Sequence, residues 1–182
     1  YGRSDPGGVI NQVTKAPLKN AYYSADMIIG SYGLYRPQID MGGALNESKT
    51  LTYRFNGMYE SAASYRDGVN TERIFLAPTF GWEMSSRTNL RFEAEYMYDR
   101  APIDRGLVAF GNGVAPIPVS SFLGDPSRKL ETHHGKATIT LWHDISNLFR
   151  WRTAFRTAVT SSRYSSRSEE HTSELQSRHY LV

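Results

Sequence analysis

Apolar and polar side chains alternate along most of this sequence, from about residue 21 to residue 159. A period of two is typical of β-strands that present one apolar and one polar face. The run from Asn89 to Asp99 is the clearest, with Leu90, Phe92 and Tyr96 on one face and acidic or basic residues on the other. The alternating runs cover 23–29, 36–46, 51–60, 73–83, 89–99, 136–141 and 149–159. No run has a helical period, so we predict an all-β protein with seven strands.

The predicted connections differ in length in a regular way. Tight turns at 47–49, 85–87 and 145–147 alternate with a bend near Gly33, a loop near 66–71 and a long Pro- and Gly-rich stretch from about 100 to 132. Short turns at one end of a sheet and longer loops at the other are typical of outer-membrane barrels. Strands of this length, tilted by about 45°, would also cross a hydrocarbon core.

A soluble β-sandwich also has alternating strands and short turns, so it is the main alternative fold. Two features favour a transmembrane barrel: aromatic side chains at the ends of the apolar runs, and closely spaced charges on the opposite faces. The aromatic residues are Tyr23, Tyr53, Tyr59, Trp82, Tyr98, Phe149 and Trp151. Seven strands cannot close such a barrel, and an open sheet edge in lipid leaves unpaired backbone groups. We therefore expect an incomplete, partial antiparallel barrel.

Composition excludes several other classes of protein. The 182 residues contain no Cys, which excludes a disulfide scaffold, a thiolate metal site and a cysteine nucleophile. No window approaches the roughly 18 consecutive apolar residues of a transmembrane helix. The net charge of +3 (21 Lys and Arg against 18 Asp and Glu) is scattered, so we expect no nucleic-acid partner.

The last residues follow a different pattern from the rest. From Arg167 the alternation stops, and residues 167–177 are polar and aperiodic. They resemble one reading frame of a sequencing-library adapter. We predict that 167–182 is a non-native tail and exclude it from the interpretation of the fold.

The opening segment carries a family resemblance. Its residues are Pro6, Gly7, Gly8, Val9, Ile10 and Asn11, followed by Val13, Thr14 and Lys15. They resemble the end of the plug domain in TonB-dependent outer-membrane receptors of the siderophore-receptor branch. Later motifs follow in the family's order, among them 40–45, Tyr53-Arg54, Ala77-Pro78 and 104–107. Gln12 departs from the pattern, because the family usually has an apolar residue there.

The resemblance, which extends to about Thr160, implies a 22-stranded barrel closed by a plug, located in the cell outer membrane among its lipids. It further implies uptake of a ferric siderophore, driven by the TonB–ExbB–ExbD complex. Residues 1–17 would then be the end of the plug, and 18–166 the N-terminal part of the barrel. On this interpretation there is no resident cofactor, and the iron is cargo. Receptors for cobalamin or an oligosaccharide, an outer-membrane enzyme and a soluble binding module are the alternatives.

Candidate ligand contacts are aromatic and basic residues near the longer loops, because ferric siderophores are often anionic. They are Tyr35, Arg36, Tyr65, Arg66, Arg105 and Phe110. Arg54 and Arg91, on polar strand faces, are expected to contact the plug instead.

Catalytic and metal sites find little support in the sequence. His133 and His134 are adjacent, so on a strand they point to opposite faces and cannot chelate one ion together. Glu93 and Glu95 share a face, yet basic residues around them favour charge pairing over acid–base catalysis. We predict no catalytic residue and no metal ligand.

Overall fold

The computed structural model describes Gly8, residues 13–164 and the backbone of residues 176–181. Ten strands are present in these ranges: β1 (Tyr22–Gly30), β2 (Leu34–Ala44), β3 (Leu51–Ala63), β4 (Asn70–Ser85), β5 (Thr88–Pro102), β6 (Ala109–Phe110), β7 (Gly113–Val114), β8 (Lys129–Asp144), β9 (Arg150–Tyr164) and β10 (Gln176–Leu181). Among the described residues, no helix is long and apolar enough to cross a membrane.

Eight of these strands form one antiparallel sheet in the order β1-β2-β3-β4-β5-β8-β9-β10, and β6 and β7 form a separate small hairpin. All seven predicted strands are confirmed, as β1 to β5, β8 and β9. The sheet is not closed, which agrees with a partial barrel. The β10 strand pairs with β9 but falls in the segment interpreted as a non-native tail. That interpretation of the tail stays a prediction.

The register aligns the polar faces of neighbouring strands on one side of the sheet. Asn56 lies opposite Ala77, and Glu93 lies between Thr79 and Thr138. Opposed residues in an antiparallel pair project to the same side, so one continuous polar face and one continuous apolar face result. We call these the polar face and the apolar face.

Burial on the two faces is the reverse of that in a soluble protein. Only Val69 and Ala77 are buried hydrophobic residues in the described part of the chain. Buried polar residues are more numerous, namely Thr52, Arg66, Thr79, Thr138 and Thr140. Large hydrophobic side chains on the apolar face are exposed, including Phe80, Trp82, Phe92, Ile139 and Phe155. Arg66 and Val69 lie in the loop at 64–69, and the other buried residues lie on the polar side of the sheet.

The two ends of the sheet differ as the connections predict. The turn end carries the links at 45–50, 86–87 and 145–149, and the loop end carries those at 31–33, 64–69 and 103–128. The β1–β2 connection is tight although it lies at the loop end. Tyr32 and Gly33 both have positive φ (57° and 65°), and the Leu34 amide donates to the Ser31 carbonyl. This is the type I′ geometry that suits the twist of a hairpin.

Candidate functional site

A short irregular segment, residues 13–19, crosses the polar face of the sheet, and we call it the strap. The Thr14 hydroxyl donates to Oε1 of Glu95 on β5 at 2.8 Å. Lys15 Nζ lies 2.8 Å from Oδ2 of Asp40 on β2, and Lys19 forms an ion pair with Glu83 on β4. The strap is therefore held by carboxylates from three different strands.

Backbone contacts bring the strap close to the sheet. The Leu18 amide donates to the Tyr53 carbonyl at 3.4 Å, and Arg54 donates to the Ala16 carbonyl at 3.5 Å. Gly81 faces Pro17, and a Cβ atom at residue 81 would lie 3.3 Å from Pro17 Cγ and 2.7 Å from Thr52 Oγ1. Glycine is thus needed on β4 for the strap to approach this closely.

Two of the carboxylates that hold the strap are also paired within the sheet. Asp40 receives two hydrogen bonds from Arg54, at 2.9 and 2.8 Å, in the bidentate geometry that favours Arg over Lys. Glu95 lies 2.6 Å from Lys136 on β8. Both carboxylates are largely buried, with 13% of each side chain exposed. The strap therefore completes charge pairs that the sheet has already formed.

A cavity of about 400 Å³ lies between the strap and the polar face of β1 to β5. Its lining mixes polar and apolar side chains. The lining includes Ser24, Asp26, Gln38, Asn56, Met58 and Phe75. Such a lining can hold water or a small ligand. The Ser24 hydroxyl in this lining donates to Asp26 at 3.2 Å.

At the loop end, Arg66 joins two loops. It lies 2.8 Å from Asp104 and donates to the Ser121 carbonyl at 3.0 Å, and only 9% of its side chain is exposed. The Asp67 amide also donates to the Ser120 carbonyl at 2.8 Å. These contacts tie the loop at 64–69 to the long loop at 103–128.

The same long loop contains a compact turn around Asp125. The Ser127 hydroxyl and amide both donate to this carboxylate, and Arg128 adds a third contact at 3.0 Å. These contacts, with the Ser127 hydroxyl the largest, hold the pKa of Asp125 below its ordinary value.

The six predicted ligand contacts do not converge on one cavity. Tyr35 lies on the apolar face and Arg36 on the polar face, where it lines the 400 Å³ cavity 3.5 Å from Glu60. Tyr65 accepts a hydrogen bond from Arg66 at 3.2 Å. Arg105 and Phe110 are exposed in the long loop. The role of all six in ligand binding stays a prediction.

The predicted plug end is described only in part. Gly8, Val13, Thr14 and Lys15 are among the described residues, whereas Pro6, Gly7, Val9, Ile10 and Asn11 lie outside them. Arg54 contacts Ala16 of the strap, and the assignment of residues 1–17 to the plug stays a prediction. The sequence did not single out Asp40 or Glu95 as anchors for the strap, because the pairing of Glu95 with Lys136 appears only when β5 and β8 are in register.

The two adjacent histidines lie on opposite faces, as their spacing predicts. A hydrogen bond of 2.9 Å joins the Tyr96 hydroxyl to His133 Nδ1 on the apolar face, and His134 contacts Thr160 on the polar face. In the described part of the chain, no group of three acidic or histidine side chains could hold a metal ion. The absence of a resident metal stays a prediction.

Comparison with known proteins finds receptors among the relatives of this chain. No protein-family model matches the chain. The metal-pseudopaline receptor CntO of Pseudomonas aeruginosa strain UCBPP-PA14 is 35% identical over 155 residues, or 85% of this chain and 22% of the relative. The ferrichrome outer membrane transporter/phage receptor of Escherichia coli K12 is 27% identical over 118 residues, or 65% of this chain and 16% of the relative. The chain thus spans about a fifth of the length of these relatives.

Solved structures share the fold. The open form of the ferric-catecholate import receptor Fiu from E. coli K12 superposes with a TM-score of 0.79 at 21% identity, covering 100% of this chain and 32% of that one. The ferripyoverdine receptor of P. aeruginosa gives a TM-score of 0.77 at 17% identity, covering 82% and 21%. The open sheet therefore has the fold of part of the barrel in these receptors.

Proposed function

We propose that this chain, which belongs to the TonB-dependent siderophore receptors of the outer membrane, forms part of the wall of a barrel that imports a metal-loaded siderophore. The relatives support the family and the location in the outer membrane. Because the chain covers only about a fifth of their length, transport, cargo and partners are our proposals.

The reversed burial of the two faces is the observation that carries this proposal. A soluble sandwich would cover the apolar face with a second sheet, and nothing in the described ranges covers it. Exposed hydrophobic residues over a whole sheet face are instead suited to lipid. The soluble sandwich, the main alternative from the sequence, is therefore wrong.

The height of the apolar band also suits a membrane. On β5 the band runs from Leu90 to Tyr98, which is about 27 Å along the strand at ~3.4 Å per residue. A tilt of about 40° reduces this to about 20 Å, close to the roughly 25 Å band of outer-membrane barrels. Beyond Tyr98 the apolar face changes to a row of alternating charge across four strands, formed by Glu72, Arg100, Glu131 and Arg163.

The proposed cargo is an anionic metal chelate, a ferric siderophore in the first instance. Arginine and aromatic residues near the loop end provide charge-assisted donors and flat contact surfaces for such a ligand. Energy would come from the TonB–ExbB–ExbD complex, acting on a part of the receptor outside this chain. The named relatives are receptors and transporters, and we propose no enzymatic activity and no resident cofactor.

A second candidate cargo comes from the 35% identity to CntO. That relative is named as a receptor for metal-pseudopaline. We therefore include a metal chelate of this kind as the alternative to a ferric siderophore.

Growth of a host that lacks its own receptors tests the proposal. The complete gene should restore growth under metal limitation with one ferric siderophore or with metal-pseudopaline, and only when TonB is present. A strain with the empty vector and a strain without TonB are the controls. If no chelate in a broad panel requires the gene, the proposed transport function is wrong.

A further inference from the structure

The guanidinium group of Arg66 is enclosed by other groups of the loop end. It forms an ion pair with Asp104 at 2.8 Å, donates to the Ser121 carbonyl at 3.0 Å and lies 5.4 Å from the ring centre of Tyr65. Only 9% of the Arg66 side chain is exposed. A guanidinium group held in this way has little surface left for a ligand, although Arg66 is one of the six predicted ligand contacts.

Asp104, the ion-pair partner of Arg66, also fixes the backbone of the two residues that follow it. Its Oδ1 atom accepts a hydrogen bond from the Gly106 amide at 2.8 Å, while its Oδ2 atom faces Arg66. Gly106 has a φ of 79°, in the left-handed region that favours glycine. Arg105 lies between these two residues. Its orientation therefore depends on the carboxylate that Arg66 holds.

Arg105 has an unusual place in the composition of the long loop. It is the only charged residue between Asp104 and Asp125. It is exposed, and the stretch that follows it contains the β6–β7 hairpin, in which Phe110 is 70% exposed. The long loop thus offers an anion one positive charge beside an apolar hairpin. The orientation of Arg105 decides whether both can meet the same ligand.

The two residues after Arg66 hold the long loop at further points. The Asp67 amide donates to the Ser120 carbonyl at 2.8 Å. A Cβ atom at Gly68 would lie 2.9 Å from Pro126 Cγ, so glycine allows the two loops to approach closely there. The long loop is therefore held on both sides of the β6–β7 hairpin, and the ion pair of Arg66 is the contact on the side of Arg105.

We propose that Arg66 is a positioning residue for cargo recognition. Through Asp104 it holds Arg105 in one orientation beside the β6–β7 hairpin, and it does not contact the cargo itself. The inference rests on the proposed function, because it takes an anionic metal chelate as the ligand that Arg105 meets. Loss of the Arg66 guanidinium group should therefore release Arg105 without removing a group that touches the chelate.

Hydrogen exchange on the purified full-length receptor tests whether Arg66 holds this turn. In Arg66→Ala the Gly106 amide should exchange faster by about tenfold or more, because the carboxylate that accepts from it loses its charged partner. Arg105→Ala removes the same charge from the turn itself and is the matched control, in which the Gly106 amide should exchange as in the native receptor. Unchanged exchange at Gly106 in Arg66→Ala would overturn the proposal.

Arg66→Lys is the conservative variant. Lysine keeps the charge for Asp104 but cannot hold that carboxylate and the Ser121 carbonyl in the fixed geometry of a guanidinium group. Exchange at Gly106 should therefore lie between that of the native receptor and that of Arg66→Ala. If the alanine variant does not fold, Arg66→Lys replaces it in every measurement, and native exchange at Gly106 then contradicts the proposal.

Chelate affinity separates a positioning residue from a direct contact. The probes are the chelates of the growth panel, beginning with iron-loaded ferrichrome and metal-pseudopaline. Arg66→Ala and Arg105→Ala should each raise the Kd of the bound chelate by about tenfold, because a charge-assisted contact is lost or misplaced. Arg66→Ala/Arg105→Ala should bind within about twofold of Arg105→Ala alone, since Arg66 acts through Arg105.

Two outcomes of the affinity measurement distinguish the proposals. If the losses of Arg66→Ala and Arg105→Ala add in the double variant, Arg66 contacts the cargo independently of Arg105 and the positioning role is wrong. If the native receptor binds and imports no chelate, the proposed function fails, whereas accelerated exchange at Gly106 in Arg66→Ala would still support the hold of Arg66 on Arg105.

Discussion

On β4 and β8, residues of the two faces alternate along the same backbone but differ sharply in exposure. Phe80 and Ile139 on the apolar face are 46 and 45% exposed, whereas Thr79 and Thr140 on the polar face are 0 and 2% exposed. The strap covers part of the polar face, where hydrogen bonds and ion pairs hold it. The apolar face has no such cover within the described ranges.

This difference shows that the two faces rely on different surroundings. Side chains of the apolar face are stabilised only if lipid replaces water around them. Side chains of the polar face are stabilised by packing and charge pairing inside the protein. A substitution should therefore have opposite consequences on adjacent residues of one strand, and the following predictions test that contrast.

The largest expected effect comes from a charge at the centre of the apolar face. Phe55→Arg in the full-length receptor, folded in phospholipid vesicles, should lower the free energy of unfolding by about 2–4 kcal/mol, because arginine is costly at the bilayer midplane. Denaturant titration measures the change.

Asn56→Arg is the matched control, since residue 56 follows directly but lines the 400 Å³ cavity on the polar face beside Asp40. Its effect should stay below about 1 kcal/mol. Equal losses of unfolding free energy in the two variants would show that both faces lie in the same environment.

The next effect concerns charge pairing on the polar face. Arg54→Ala removes both hydrogen bonds to Asp40 and the contact with the Ala16 carbonyl. The free energy of unfolding should fall by about 1.5–3 kcal/mol, since the Asp40 carboxylate is largely buried. Arg150→Ala breaks the exposed pair with Asp144 and should lower the free energy of unfolding by clearly less than Arg54→Ala in the same titration. A reversed order of the two losses would contradict the assigned burial.

A smaller effect is expected from steric contact between the strap and β4. Gly81→Ala places a methyl group 2.7 Å from Thr52 Oγ1 and 3.3 Å from Pro17, which should cost about 1–2 kcal/mol. Hydrogen exchange at the Leu18 amide, which donates to Tyr53, should accelerate. Gly135→Ala on β8 meets no atom within 4 Å and is the control. Equal changes in stability and in exchange at the Leu18 amide in both variants would show that the strap does not lie against Gly81.

The smallest effect lies in a loop away from both faces. The folded pKa of Asp125 is depressed, so its contribution to stability is present above the ordinary pKa and is lost as the pH falls through the lower, folded value. A carboxyl NMR titration should show this lowered pKa, and Ser127→Ala should raise it toward the ordinary value. Strap contacts should not change in that variant. A pKa for Asp125 at its ordinary value would contradict the described turn.

Part of the candidate site followed from the sequence and part did not. The opposite orientations of His133 and His134, and the polar position of Arg54, follow from alternation along a strand. The buried position of Arg66 does not, because it depends on Asp104 and Ser121 in a loop far along the chain. Tyr35 and Arg36 are adjacent in sequence, and the sheet places them on opposite faces.

Alternation by itself determined the strands, their two faces and the ends with short and long connections, because the direction of each side chain depends on local backbone geometry. Only the tertiary structure decided which charges meet. Glu95 faces Lys136 and also receives Thr14 from 81 residues earlier in the chain. Such contacts depend on the register of distant strands and on the path of the strap, and no local pattern specifies either.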